Sequence, residues 1–68
     1  MNKEKISKKL KEIREKNNST QAEMAVLLGV TLAAVGNYEQ GTRIPRDETK
    51  MKYAEIAGES VDAIFYTD

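Results

Sequence analysis

Sixty-eight residues make one small domain at most, with a thin core and little stability in hand. The chain has neither cysteine nor histidine, which excludes a disulfide framework, a thiolate metal site and the usual neutral-pH acid or base. Eleven basic and eleven acidic side chains cancel, yet residues 1–16 hold seven of the basic groups against three acidic ones, so one end is positive and the rest negative.

The first helix is predicted over about residues 3–17. Ile6, Leu10 and Ile13 fall at i, i+4 and i+7 and make one apolar stripe on a charged rod. Asn17-Asn18-Ser19 ends it. The second helix runs from Gln21 to Leu28. Thr20 before it and Glu23 three residues on form a capping box. Ala22, Ala25 and Gly29 are small enough for close helix approach, and Met24, Leu28 and Val30 should face the core.

The third helix spans about Leu32 to Gln40, opened by the hydroxyl of Thr31. Val35 and Tyr38 are its expected buried pair, and Gly41 suits a left-handed cap. Gly41 to Pro45 reads as a loop. Asp47 and Glu48 suit the positive end of a fourth helix. Met51, Ala54, Tyr53 and Ile56 are assigned to its inner face, and Gly58 stops it. Ser60 caps a last helix carrying Val61, Ile64 and Phe65, after which Tyr66-Thr67-Asp68 should fray.

No strand pattern, repeat or low-complexity tract interrupts this order. The fold class is all-α: a compact five-helix bundle, a single domain over residues 1–68. The absence of a hydrophobic signal core or a long apolar run points to a soluble cytoplasmic protein with no membrane partner. The tight pairing of the second and third helices is the helix-turn-helix unit, which stands its second helix in the DNA major groove.

The motifs, taken together, resemble the DNA-binding domain of the lambda-repressor-like family, the Cro/repressor or XRE-type helix-turn-helix regulators. They are Leu10-x-x-Ile13-Arg14, Thr20-Gln21-x-Glu23-x-Ala25, Leu28-Gly29-Val30-Thr31, Val35-x-x-Tyr38-Glu39-x-Gly41, Arg43-x-Pro45, and the closing Ala54…Gly58-x-Ser60-Val61-Asp62…Ile64-Phe65. The resemblance covers Ile6 to Phe65. It implies a semi-buried ion pair between Arg14 and Glu39, with Arg14 also near a phosphate. It implies DNA-backbone contacts from Gln21, Arg43 and Thr42, and base contacts from Leu32, Ala33 and Asn37. The free amides at a helix start give Gln21 a physical reason to meet phosphate. Lys8, Lys9, Lys11 and Arg46 are weaker phosphate candidates, as readily explained by solubility.

The departures are concentrated in two places. Leu32, Ala33 and Ala34 stand where the family often has Gln, Arg or Ser, and none of them makes a bidentate bond to a base. They leave packing on thymine methyl groups, with Asn37 as the polar reader. Gly36, costly in mid-helix, should be compensated by close approach to DNA or to another helix. In the core, Ser19, Thr49 and Ala57 replace the family's leucines and Glu59 a valine, while Leu27 and Leu32 fall at commonly polar positions.

The expected function is a small sequence-specific transcriptional regulator, a repressor by resemblance, binding double-stranded DNA on a near-palindrome as a homodimer. Val61, Ile64, Phe65 and Tyr66 of the last helix are the candidate dimer surface, with Ile64 and Phe65 also readable as core. The alternative is an antitoxin-like or anti-repressor protein-interaction module on the same scaffold. An enzyme is not expected, nor a cofactor, a metal or a small-molecule ligand, because no nucleophile, metal or phosphate-loop pattern is present.

Overall fold

Local capping chemistry sets the helix boundaries. In the computed structural model, which describes residues 1–67, α1 spans Lys3–Lys16, α2 Gln21–Leu28, α3 Leu32–Gln40, α4 Asp47–Ala57 and α5 Val61–Phe65. The side-chain oxygens of Asn2, Thr20, Thr31 and Ser60 each accept the N–H three residues on, at the starts of α1, α2, α3 and α5. Gly29 and Gly41, at φ +69° and +78°, terminate α2 and α3 in the left-handed region that glycine enters without steric cost. The helices form a bundle of 28 × 24 × 20 Å in which α3 packs against α1 and α2, and α4 lies against α1, α2 and α5.

The core follows the helical period. Ile6, Leu10 and Ile13 of α1 meet Met24, Ala25 and Leu28 of α2, with Val35 and Tyr38 of α3 and Ile64 and Phe65 of α5. Tyr53 of α4 is the hub. Its ring stands edge-on to Tyr38, with centroids 6.3 Å apart, and to Phe65, at 6.4 Å.

The structure corrects the inner face assigned to α4. Thr49, Lys50, Tyr53 and Ala54 are buried, whereas Met51 points the other way and is 59% exposed. Lys50 is the unforeseen member. Its Nζ donates to the Tyr66 hydroxyl at 2.9 Å, lies 3.7 Å from Met1 Sδ, and sits 5.6 Å from the Phe65 ring centre. The expected fraying tail is therefore held at Tyr66 by Lys50 and at Thr67 by a bond to the Ala63 carbonyl; Asp68 lies outside the described residues. Close approach in α2 rests on Ala25, since Ala22 is exposed.

The replaced leucines leave different marks. Thr49 is buried, and Ala57 lines a cleft of about 140 Å³ between α1 and α4. Glu59 is a surface group paired with Lys9 at 3.0 Å, so no buried valine is missing there.

The Tyr53 hydroxyl is buried without a hydrogen-bond partner among the described residues, and burial pushes its pKa above the usual phenol value. Tyr53→Phe should therefore be neutral or stabilising by up to about 1 kcal/mol in urea unfolding, because no bond is lost and a desolvation penalty is removed. A loss of stability would show that the hydroxyl is satisfied.

Candidate nucleic-acid interface

The interface is built on the outward side of α3. Its period turns Ala34, Val35 and Tyr38 inward, leaving Leu32, Ala33, Gly36, Asn37 and Gln40 outward or half-covered. Ala34 therefore leaves the set of thymine-packing candidates, because it is a core residue at 5% exposure. Leu32 is 53% exposed and Ala33 is open, so both present apolar atoms to solvent. The Asn37 side chain is half-buried and makes no hydrogen bond among the described residues, so its amide is available. Gln40 completes the i, i+3, i+4, i+7 stripe begun by Ala33. That periodicity was present in the sequence and makes Gln40 a second amide on this face.

Gly36 is not explained by packing within the chain. A Cβ added there would meet nothing within 4 Å, so the expected approach of another helix does not occur. Together with Ala33 it leaves the outward stripe flat.

The start of α2 carries a closed capping box and two amides without partners among the described residues. The Thr20 N–H donates to Glu23 Oε1 at 2.8 Å, and the Glu23 N–H donates to Thr20 Oγ1 at 3.1 Å, closing the capping box. The backbone amides of Gln21 and Ala22 remain without partners among the described residues. Hydrogen bonds from Thr20 hold the Glu23 carboxyl below its ordinary pKa. The sign follows from linkage: a lowered folded pKa gives stability that is present above the usual carboxylate range and is lost as pH falls through the folded value. Glu23→Gln should flatten the acid limb of a thermal-stability profile, and an unchanged limb would show that the box contributes nothing in solution.

Arg14 joins α1 to α3. Its Nε donates to Glu39 Oε2 at 2.7 Å and its NH2 to Oε1 at 3.0 Å, while NH1 donates to the Ser19 carbonyl at 3.0 Å. The Glu39 bonds, set against partial desolvation, raise the guanidinium pKa above its usual value. With three N–H donors so committed and its side chain 14% exposed, Arg14 fixes α1 against α3 and the turn before α2. Glu39 Oε1 also accepts Gln21 Nε2 at 3.2 Å, which ties the start of α2 to the end of α3. Sequence reading placed both residues but not this shared carboxylate.

The loop after α3 divides its candidates. Thr42 directs both its N–H, at 3.1 Å, and its hydroxyl, at 3.2 Å, onto the Asn37 carbonyl. Both donors of Thr42 thus serve the cap of α3. Arg43 is exposed and makes no ion pair among the described residues.

A helix-turn-helix family profile matches residues 10–64, which contain α2, the Gly29 turn and α3. The chain belongs to the XRE-type helix-turn-helix family. This helix-turn-helix chain is also 35% identical over 60 residues to the cryptic phage CTXphi transcriptional repressor RstR of Vibrio cholerae serotype O1. The match covers 88% of the chain and 54% of the relative, so it spans about half of that protein. Among the described residues, no helix is long and apolar enough to cross a membrane.

Proposed function

We propose that this chain is a transcriptional repressor that binds double-stranded DNA with α3 in the major groove, as a dimer on a near-palindromic operator, in the cytoplasm. One observation carries the reading. The backbone amides of Gln21 and Ala22 are without partners among the described residues, the Gln21 side chain ties that helix start to Glu39 near the end of α3, Arg43 is exposed with no ion pair among the described residues, and the outward stripe of α3 stands open. Amides at a helix start and a free guanidinium suit phosphate, and a bare helix face suits a groove. The relation to a phage repressor supports the regulatory sense.

The base-facing side is chemically poor. Leu32 and Ala33 provide methyl contacts, and Asn37 provides the amide pair that grips adenine. Specificity then leans on DNA shape and on the spacing of two half-sites, about 34 Å apart. Two substitutions separate the roles. Arg43→Ala should weaken binding evenly across sequences and reduce the salt slope by about 0.9, the value for one phosphate contact. Asn37→Ala should instead relax preference at one base position, by about 1–3 kcal/mol. Competition titrations at several salt concentrations read both, and binding unchanged by either substitution would remove the assignment.

Val26, Leu27 and Leu32, at 81%, 51% and 53% exposure, favour a second reading in which the scaffold binds a protein. A complex with a protein that ignores salt, in a chain that shows no affinity for DNA, would support it.

A further inference from the structure

The first turn of α3 is apolar on the side that faces out of the fold. Leu32 is 53% exposed, and Ala33 is open beside it. Neither belongs to the core, which takes Ala34 and Val35 from the same turn. Thr31 before them accepts the Ala34 N–H at its Oγ1, at 3.1 Å. The amide side chains of Asn37 and Gln40 stand at least one turn beyond each of the pair. A turn rises about 5.4 Å, more than the roughly 3.4 Å between stacked base pairs. A groove helix meets base edges with its N-terminal residues, so the base pair under this turn is met by carbon.

Gly36 keeps that turn uncovered. A helical side chain leans back over the turn before its own Cα, and residue 36 lies at i+4 from Leu32 and i+3 from Ala33. Any side chain there would spread over the pair. Nothing within the chain asks for glycine at this place. An added Cβ would meet nothing within 4 Å, and Gly36 is not among the glycines of positive φ. Glycine in mid-helix still weakens the helix, so the bare backbone is maintained against local propensity.

The edge of a pyrimidine decides what such a surface can sense. In the major groove thymine differs from cytosine by a methyl on C5 and by an O4 acceptor in place of the N4 donor. The side chains of Leu32 and Ala33 carry no donor or acceptor, so they respond to the methyl and not to the group on C4. The methyl of 5-methylcytosine sits on the same ring carbon as that of thymine.

We propose that the first turn of α3 reads the C5 methyl of a pyrimidine and not the identity of the base, so that thymine and 5-methylcytosine are equivalent there. A cytosine at that place gives a weak site, which methylation of its C5 strengthens. The inference rests on the reading of α3 as the groove helix and names what its first turn recognises. Binding to such a site then depends on the methylation state of the DNA.

The duplex that the chain selects from a random library supplies the probes. Its thymines are replaced one at a time by uracil, by 5-methylcytosine and by cytosine, the last two with guanine opposite, and affinity is measured by titration. At one or two neighbouring thymines, loss of the methyl in uracil should weaken binding about fourfold, the worth of one buried methyl. At those places 5-methylcytosine should bind like thymine, and cytosine like uracil. Two variants tie the effect to this turn. Leu32→Ala, outside the core, should shrink the uracil penalty. Gly36→Gln should raise the melting temperature and yet remove the penalty, because its side chain covers the pair. No uracil penalty at any thymine, or a penalty unchanged in both variants, would overturn the proposal. So would 5-methylcytosine binding as weakly as cytosine, which would give the readout to the Thr31 hydroxyl on O4. A folded chain that binds no duplex would instead overturn the DNA-binding reading beneath it, so the two failures are told apart.

Discussion

Glu39→Ala should destabilise the domain by about 3 kcal/mol, because it strips both carboxylate oxygens from a guanidinium that is largely out of water. A chain of this length holds only about 3–10 kcal/mol in total, so the variant should stand close to unfolding at room temperature. The pair itself is not a large net source of stability. Replacing both members by apolar groups, as in Arg14→Met/Glu39→Leu, should recover most of the loss in urea unfolding. Recovery of DNA binding should not follow. The Gln21 side chain loses its anchor on Glu39 Oε1, and the start of α2 is no longer tied to the end of α3. A folded double variant with wild-type affinity would show that the network serves stability alone.

Phe65→Ala should abolish the cooperative thermal transition. The ring is fully buried, and large-to-small changes of this kind cost about 3–5 kcal/mol. The position amplifies the effect. Helix α5 has five residues, too few to persist without tertiary packing, and Ile64 and Phe65 are its two buried residues. Losing the ring also removes the edge-on contact with Tyr53 and one of the two aromatic faces near Lys50. A melt by circular dichroism reads the outcome, and a sharp transition near the wild-type temperature would show that the site collapses around the smaller side chain.

The parts of this fold that were legible in the sequence are local. The Ile6, Leu10, Ile13 stripe, the Thr20–Glu23 box and the Gly41 cap each depend on residues within two turns of one another, and each is present. The less legible parts depend on distant pairs. Nothing near Lys50 in the chain announces that its ammonium will lie between Tyr66 and Met1, which are 16 and 49 residues away. Met51 was placed on the wrong side of α4 because that helix has a weak apolar stripe, with Thr49 and Lys50 among its buried residues.

The interface divides in the same way. Its family resemblance placed Arg14 and Glu39, while the sharing of Glu39 with Gln21 emerged only with the three side chains in place. The cap role of Thr42 is not legible in the sequence, because a threonine after a helix can serve the cap or a ligand, and here both its donors go to Asn37. Ala34 was misread by one position of helical phase, which moves a side chain from the groove to the core.

The central claim is that this chain reads DNA as a symmetric pair through α3. Selection of bound duplexes from a random library, with the purified chain near physiological salt, tests it most directly. The expected result is a two-fold symmetric consensus whose half-sites are centred one helical turn apart. Failure of a folded protein to enrich any sequence would contradict it.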